Sequence, residues 1–585
     1  MHSFDHSILS LIIFTPLVGA LVLALLPDRG KLQPAAALVV TLITFVLTLH
    51  LPANFSTTGV STTFGSQQTF RFVQDALWIP RPEIHYHLGV DGLGMWLVVL
   101  SGFLAPLGVL ASWNAIASRR KLFYTLFLLQ QVAMLGVFVS LDLFLYYAFW
   151  ELSLVPMTIL IATFGRTENR RRAGIKFFLY AFIPSALLLV GMLWLYVQTG
   201  TFQLPELAAL AASHAIPGGS HALWLCSLAF LVAFAVKVPV FPLHGWMVDA
   251  FAEAPTAAVM VLAGKLGLYS ILRFSFGIFP EQSRHIAPLL IALGAIGIVY
   301  GACLALVQDD LKRLASFSTL GHLSFCVLGI FTFTVNGLDG GMYQILNHGI
   351  SGGALFLLMG MLFERYGTYD MRDLGGLSGK LPWMVTLFVI TALSNVGLPA
   401  LNSFVGEFLI LSGTAQTALS HHSMLWTTIA TTGVIFSAAY LLTMIQRVFY
   451  ADLGNISAER RGWDLTAREH LALWPMVALF VIMGVASPYF TRFLDPLGTT
   501  YANVPADFEG SRARAISYLL RNSHEKRLTL TCINCTHAGQ PWQPAIDGTK
   551  QGQFSFAALQ HVPPIAEDNA RLAAIIAEAQ KEQAK

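Results

Sequence analysis

Three ionisable residues stand deep inside apolar runs: Glu151 in FWELSLVPM, Lys265 in LAGKLGLY and Glu407 in FVGEFLIL. Lys237 joins them in AVKVPVFPLHGW, where an apolar run ends, and His322 and His348 lie inside two later runs. A charge at mid-membrane costs roughly 2.5–3.5 kcal/mol on insertion scales, so such residues pair internally or line a hydrated path. Acids, amines and imidazoles held together in an apolar medium can do one chemistry in common, the transfer of protons. Each also has a structural reading: Lys237 can snorkel to a nearby surface, Glu151 can tie two helices together, and either histidine can be a packed neutral ring. Lys265 and Glu407 are central and have no partner near them in the chain, so the set carries more weight than any member.

Helix breakers accompany two of the charges. Pro239 and Pro242 follow Lys237, and Gly397 and Pro399 precede Glu407. Proline removes a backbone donor and frees a carbonyl one turn back, and at membrane depth such groups must face protein or water. Interrupted helices in two halves of a chain point to an ion path in proteins built from inverted repeats.

The elements that must position these groups are membrane spans. The chain is 55% hydrophobic and 11% charged over 585 residues, against about 25% charged in a soluble protein. Apolar stretches of roughly 20 residues, enough for a hydrocarbon core about 30 Å thick, predict about fourteen spans. They fall near 8–27, 32–52, 91–112, 122–140, 142–163, 174–198, 222–239, 255–276, 286–307, 312–333, 340–364, 383–414, 425–450 and 470–490. The 383–414 run is too long for one straight span. The opening segment MHSFDHS lacks the basic n-region of a signal peptide and reads as part of a retained first span.

With the N-terminus outside, the inward loops hold Arg119, Arg120, Lys121, Arg170, Arg171 and Arg172, together with Lys312 and Arg365, among others. The outward loops before the tail hold only Arg71, Arg81 and Arg284. This positive-inside asymmetry supports the count and the orientation, and places both termini in the periplasm of a Gram-negative host. Basic residues are dispersed, and the net charge of +3 gives nucleic-acid binding no support. No iron–sulfur spacing, C-x-x-C-H or G-x-G-x-x-G after a strand occurs, so the chain is expected to hold no cofactor. In the polar tail, Cys532 and Cys535 can form a disulfide loop, which an oxidising compartment would preserve. With His537 and another chain they can also form a metal site. The end, AEDNARLAAIIAEAQKEQAK, is compatible with an amphipathic helix.

Long stretches resemble the antiporter-like, proton-translocating chains of respiratory complex I: YHLGVDGLGMWLVVLS (86–101), FWELSLVPM (149–157), 237–274, DLKRLASFSTLGHLSF (310–325), LNHGISGGALFLLMGMLFER (346–365) and LPALNSFVGEFLIL (398–411). The resemblance covers roughly residues 1–490. Glu407 directs it to the chain M branch, since the related L and N chains and the antiporters usually carry lysine there. It implies an all-α integral membrane protein with about 14 transmembrane helices and two inverted antiporter-like repeats containing broken helices. The implied divisions are N-terminal spans and outward loop (1–121), first repeat (122–276), second repeat (286–450), last span (470–490) and a polar periplasmic extension (491–585). Family members generally end soon after the last span.

The resemblance further implies a proton-pumping subunit of NADH:quinone oxidoreductase in a bacterial inner membrane, with L- and N-type chains as neighbours. FMN, iron–sulfur clusters and quinone would lie in other subunits. Glu151 would pair with Lys237, Lys265 would be the connecting lysine, His322 and His348 would lie on a central hydrated axis, and Glu407 would be the terminal proton-exchanging group. A free lysine titrates near 10.4, so release near pH 7 takes roughly 4.6 kcal/mol. Moving one charge across about 200 mV takes about the same. One ion pair that opens and closes therefore matches the work of one proton. An Mrp-type cation/proton antiporter and the membrane chain of a group 4 hydrogenase are the alternatives, and the subunits that co-purify would separate them.

Overall fold

A computed structural model describes residues 2–503 apart from 29, 63–68, 214, 263–264, 418, 420–421 and 457–461. Cys532, Cys535 and the terminal helix read from the sequence lie outside the described residues.

The order of elements is α1 (His2–Leu25), α2 (Leu32–Asn54), β1 (Arg71–Pro80), β2 (Glu83–Val90), α3 (Gly92–Ala115), α4 (Arg120–Val139), α5 (Leu143–Leu152), α6 (Leu154–Phe164), α7 (Arg170–Thr199), α8 (Leu204–Ala212), α9 (Ser220–Lys237), α10 (Gly245–Glu253), α11 (Thr256–Leu262), α12 (Lys265–Ser270), α13 (Phe276–Ile278), α14 (Pro280–Leu306), α15 (Leu311–Ile330) and α16 (Val335–Tyr366). After these come α17 (Pro382–Val396), α18 (Asn402–Gln416), α19 (Ser423–Ile445), α20 (Ala467–Val485), α21 (Ser487–Thr491) and α22 (Asp495–Ala502). Thirteen helical segments among the described residues are long and apolar enough to cross a bilayer. The 383–414 run supplies two shorter helices, α17 and α18, in place of a single span.

Burial sorts the helices. The window covering α11 to α13 is fully buried, α16 is 94% buried and α3 and α15 are each 89% buried, whereas α7 is 28% and α2 and α19 are each 33% buried. The first group forms the centre of the bundle and the second its outer rim. Polar side chains are affordable on the central helices because their neighbours are protein. Helix starts are capped from the sequence itself: Asp91, Asp142, Asp310 and Thr334 accept from the first-turn N–H groups of α3, α5, α15 and α16.

Three readings need correction. The long outward loop contains an antiparallel hairpin, β1 with β2. It docks on α1 through the Ser10 hydroxyl, which bonds Gln74 at 2.5 Å and Tyr86 at 2.8 Å. It docks on the α4–α5 junction through Leu141 N–H to the His87 carbonyl at 2.8 Å. The irregular register at Arg71/Gln74 and Leu77/Ile79 breaks the alternation that would have marked the strands. Lys312 and Arg365 are not loop residues but sit buried near helix ends. Arg365 pairs with the Glu469 carboxylate at 2.9 and 2.7 Å.

Candidate functional site

The interrupted segment α17–α18 builds one end of the site. α17 is closed by Gly397 in the left-handed region, φ +81°. Its N–H donates to the Ser394 carbonyl, and the Leu398 N–H donates to Leu393. This is a Schellman closure, which glycine enters without the steric cost a Cβ would bring. Pro399 cannot continue the helix, and winding resumes at Asn402. The break turns Glu407 back onto the glycine, so that a Cβ at 397 would lie 2.6 Å from Glu407 Oε2. Gly397 is needed for its backbone angle and for the room it leaves the acid.

From Glu407 a row of groups crosses the bundle centre. Gln344 Nε2 donates to Glu407 Oε1 at 3.2 Å, and His322 Nδ1 stands 3.4 Å from the same oxygen. The His322 ring stacks on His348 with centroids 5.2 Å apart and planes 26° apart. Gly349, next to His348, receives the stem of Lys265: a Cβ there would meet Lys265 Cε at 2.8 Å. Lys265 Nζ donates to the Met260 carbonyl at 3.2 Å. The four titratable side chains come from α18, α15, α16 and α12, and each is 5% exposed or less. Apart from the contact of His322 with Glu407, the ring nitrogens of His322 and His348 find no hydrogen-bond partner among the described residues. Histidines kept for packing have their nitrogens satisfied, so this pair departs from the structural reading.

The first half is arranged differently. Pro156 removes the donor that would serve the Leu152 carbonyl, and the helix is interrupted at Ser153 between α5 and α6. Glu151 accepts a very short hydrogen bond from Ser185 on α7. Lys237, 6% exposed at the end of α9, donates to Ser153 Oγ at 3.3 Å and lies over the Trp150 ring, 5.0 Å from its centroid. Glu151 and Lys237 therefore do not form the expected direct pair here: each is held by its own serine. Beyond Lys237 the chain unwinds through Pro239 and Pro242, and Trp246 Nε1 donates to the Val236 carbonyl at 2.9 Å, satisfying a group near the break. Aromatic rings pack around this end of the first half. Tyr146 lies 4.2 Å from Phe274 and 5.7 Å from Trp150 by ring centroid.

Sequence reading missed the polar scaffold. Asn347 Nδ2 donates to Gln344 Oε1 at 3.1 Å and to the Asn402 carbonyl at 2.9 Å. Ser394 Oγ donates to Asn402 Oδ1 at 2.6 Å, and Asn395 Nδ2 to the Ser351 carbonyl at 3.2 Å. These bonds lock α16 to both sides of the break. The signal was present: Gln344, Asn347, His348 and Ser351 recur at helical spacing and share one face. Also missed was Arg273, paired with Asp91 at 2.7 Å where both side chains are under 5% exposed. Its partner lies far back in the chain, beyond the reach of any local pattern.

Interrupted helices around a buried row of acid, imidazole and amine define the antiporter-like class of membrane subunit. The family described as NADH:quinone oxidoreductase/Mrp antiporter, TM matches residues 140–437. That described as NADH-ubiquinone oxidoreductase chain 4, amino terminus matches residues 35–141. NADH-quinone oxidoreductase subunit M of Rhodobacter capsulatus is 38% identical over 511 residues, covering 84% of this chain and 95% of that protein. A chain of respiratory complex I from Thermus thermophilus superposes with a TM-score of 0.73 at 31% identity, covering 84% of this chain and 99% of the other. A chain of the Mrp complex from Dietzia shares the fold, with a TM-score of 0.73 at 19% identity over 86% of this chain and 98% of its own. The chain belongs to the subunit M family of NADH–quinone oxidoreductase, known in the ubiquinone enzymes as chain 4. It is a multi-pass membrane subunit of a multi-subunit enzyme.

Proposed function

We propose that this chain moves protons across the membrane as part of NADH:quinone oxidoreductase, with Lys265, His348, His322 and Glu407 as the relay. The observation that carries this reading is the row of those side chains across the bundle centre, ending on an acid lodged at a helix break. A proton on Lys265 passes to the imidazole pair and on to Glu407. Glu407 is already oriented by Gln344 and gives the proton up on the far side. Glu151 and Lys237 act ahead of the relay as a switch, whose open form is the arrangement in which each is bonded to its own serine. When the lysine leaves Ser153 and meets Glu151, the carboxylate favours its charged form. When the pair opens again in the apolar interior, the proton is more readily released.

The positive-inside pattern puts the Lys/Arg-rich face in the cytoplasm of a bacterial cell and both termini in the periplasm. Energy arrives through neighbouring L- and N-type membrane chains from quinone reduction elsewhere. FMN, iron–sulfur clusters and quinone belong to other subunits, for which this chain provides no motif. The test is proton uptake by vesicles holding the purified complex with Glu407→Gln or Lys237→Met. NADH-driven pumping falls while the subunits still co-purify. Wild-type pumping by assembled Glu407→Gln would refute the relay, and wild-type pumping by assembled Lys237→Met would refute the switch.

A further inference from the structure

A cavity of about 470 Å³ opens on the Lys/Arg-rich face, between the ends of α3 and α16 and the starts of α11 and α15. Its charged lining is Arg166, Glu253, Lys312 and Glu364. Three of these are already engaged. Arg166 pairs with Asp310 at 2.6 Å, Glu253 accepts from the backbone and hydroxyl of Thr167, and Lys312 donates to the Ala254 carbonyl. Among the described residues Glu364 has no hydrogen-bond or ion-pair partner, so its carboxylate faces the cavity unengaged. The volume far exceeds the roughly 10–15 Å³ needed to admit one water, and the lining supplies the polar partners that water requires.

The cavity leads toward the relay. Along α16 a seam of glycines brings α11 and α12 into close contact. Gly360 abuts Thr256 on the cavity wall, Gly353 abuts Met260, and Gly349 abuts Lys265. Ala257, also on the wall, and Met260 are one turn apart, about 4.5 Å of rise. The Met260 carbonyl is the group that takes the Lys265 ammonium. Met260 therefore stands between the cavity wall and the lysine along this helix, and its unbranched thioether can swing aside at small cost.

We propose that this cavity is the proton intake of the second half, with Glu364 as the loading acid and Met260 as the gate to Lys265, so that protons reach the relay without passing Lys237. The proposal rests on the relay reading above. A proton from bulk water is taken on the Glu364 carboxylate. It crosses the cavity to the neutral amine of Lys265 when Met260 turns away, and Glu364 is left ionised for the next.

The test uses the whole complex in sealed vesicles with the Lys/Arg-rich face outward. Glu364→Gln slows coupled turnover by about tenfold or more, within the usual range for losing a proton-transfer group, and Glu364→Asp restores most of it. In a chain with Cys303→Ser, which removes the exposed thiol among the described residues, Thr256→Cys is modified by a membrane-impermeant thiol reagent. That modification slows turnover relative to the unreacted variant. Wild-type pumping by Glu364→Gln, or no modification of Thr256→Cys, overturns the intake. If Lys265→Met is still defective in that case, the relay stands and its intake lies elsewhere. If Lys265→Met also pumps normally, the relay reading fails as well.

Discussion

The two halves of this molecule hold the same kinds of residues in opposite states of connection. In the second half, Glu407, His322 and His348 succeed one another through an ion-pair distance of 3.4 Å and a ring stack of 5.2 Å, and a glycine contact at Gly349 brings them to Lys265 at the end of the first repeat. In the first, Glu151 and Lys237 are each bonded to a serine, and aromatic rings pack around Lys237. A succession of neighbouring titratable groups suits transport, because a proton needs only short steps. Two charges held apart by hydroxyls suit control, because a change of rotamer can join or separate them.

The contrast can be broken most severely at its connected end. Glu407→Gln removes the terminal acid while keeping its shape, and should lower NADH-driven pumping by roughly 10²-fold or more. Glu407→Asp should retain much of the rate, measured on the assembled complex in vesicles. A pair of double-mutant cycles sharpens the comparison further. His322→Ala with Glu407→Gln should show a coupling of about 0.5–3 kcal/mol in thermal unfolding of the complex, as residues in contact do. Glu151→Gln with Lys237→Met should show the smaller coupling, because these groups are each bonded to a serine and do not pair here.

Gly397→Ala should cost about 1–2 kcal/mol from the left-handed backbone alone. It should also reduce pumping without loss of assembly, because the methyl displaces the Glu407 carboxylate. Ser153→Ala should cost less, about 1 kcal/mol, and should shift the balance of the Lys237 switch, seen as a changed coupling ratio at unchanged NADH oxidation. The smallest effect belongs to the outward hairpin. Burial opposes charging of His85, but its bonds to Glu83 and Asp75 and the charges of those acids outweigh it and raise its pKa. A raised imidazole pKa stabilises the fold below the unfolded value near 6.5, and that stabilisation is lost as pH rises through the folded value. The melting difference between wild type and His85→Ala should therefore be larger at about pH 6 than at about pH 8.

Reading the chain alone succeeded where the bilayer imposes a strong rule. Long apolar runs mark spans because hydrocarbon tolerates little else, and charges within them are conspicuous because they are costly. It failed where a local signal had two meanings. Lys312 and Arg365 sit next to polar loops in sequence, yet neighbouring helices cover them. The Arg71–Val90 hairpin lost its alternation to register shifts. The amides around the break looked like scattered polar residues until α16, α17 and α18 were seen to meet.

From the residues alone come the class of the protein, the number of its crossings to within one or two, and the identity of the buried acids, amines and imidazoles. The bilayer writes those features as composition and position along one chain. Which of the groups touch was decided only in three dimensions. Glu407 and His322 are about as far apart in sequence as Glu151 and Lys237, yet the first two stand 3.4 Å apart in space while the second two remain unpaired. Proton transfer depends on separations of a few ångströms, and those are set by how helices cross and where glycines let them close.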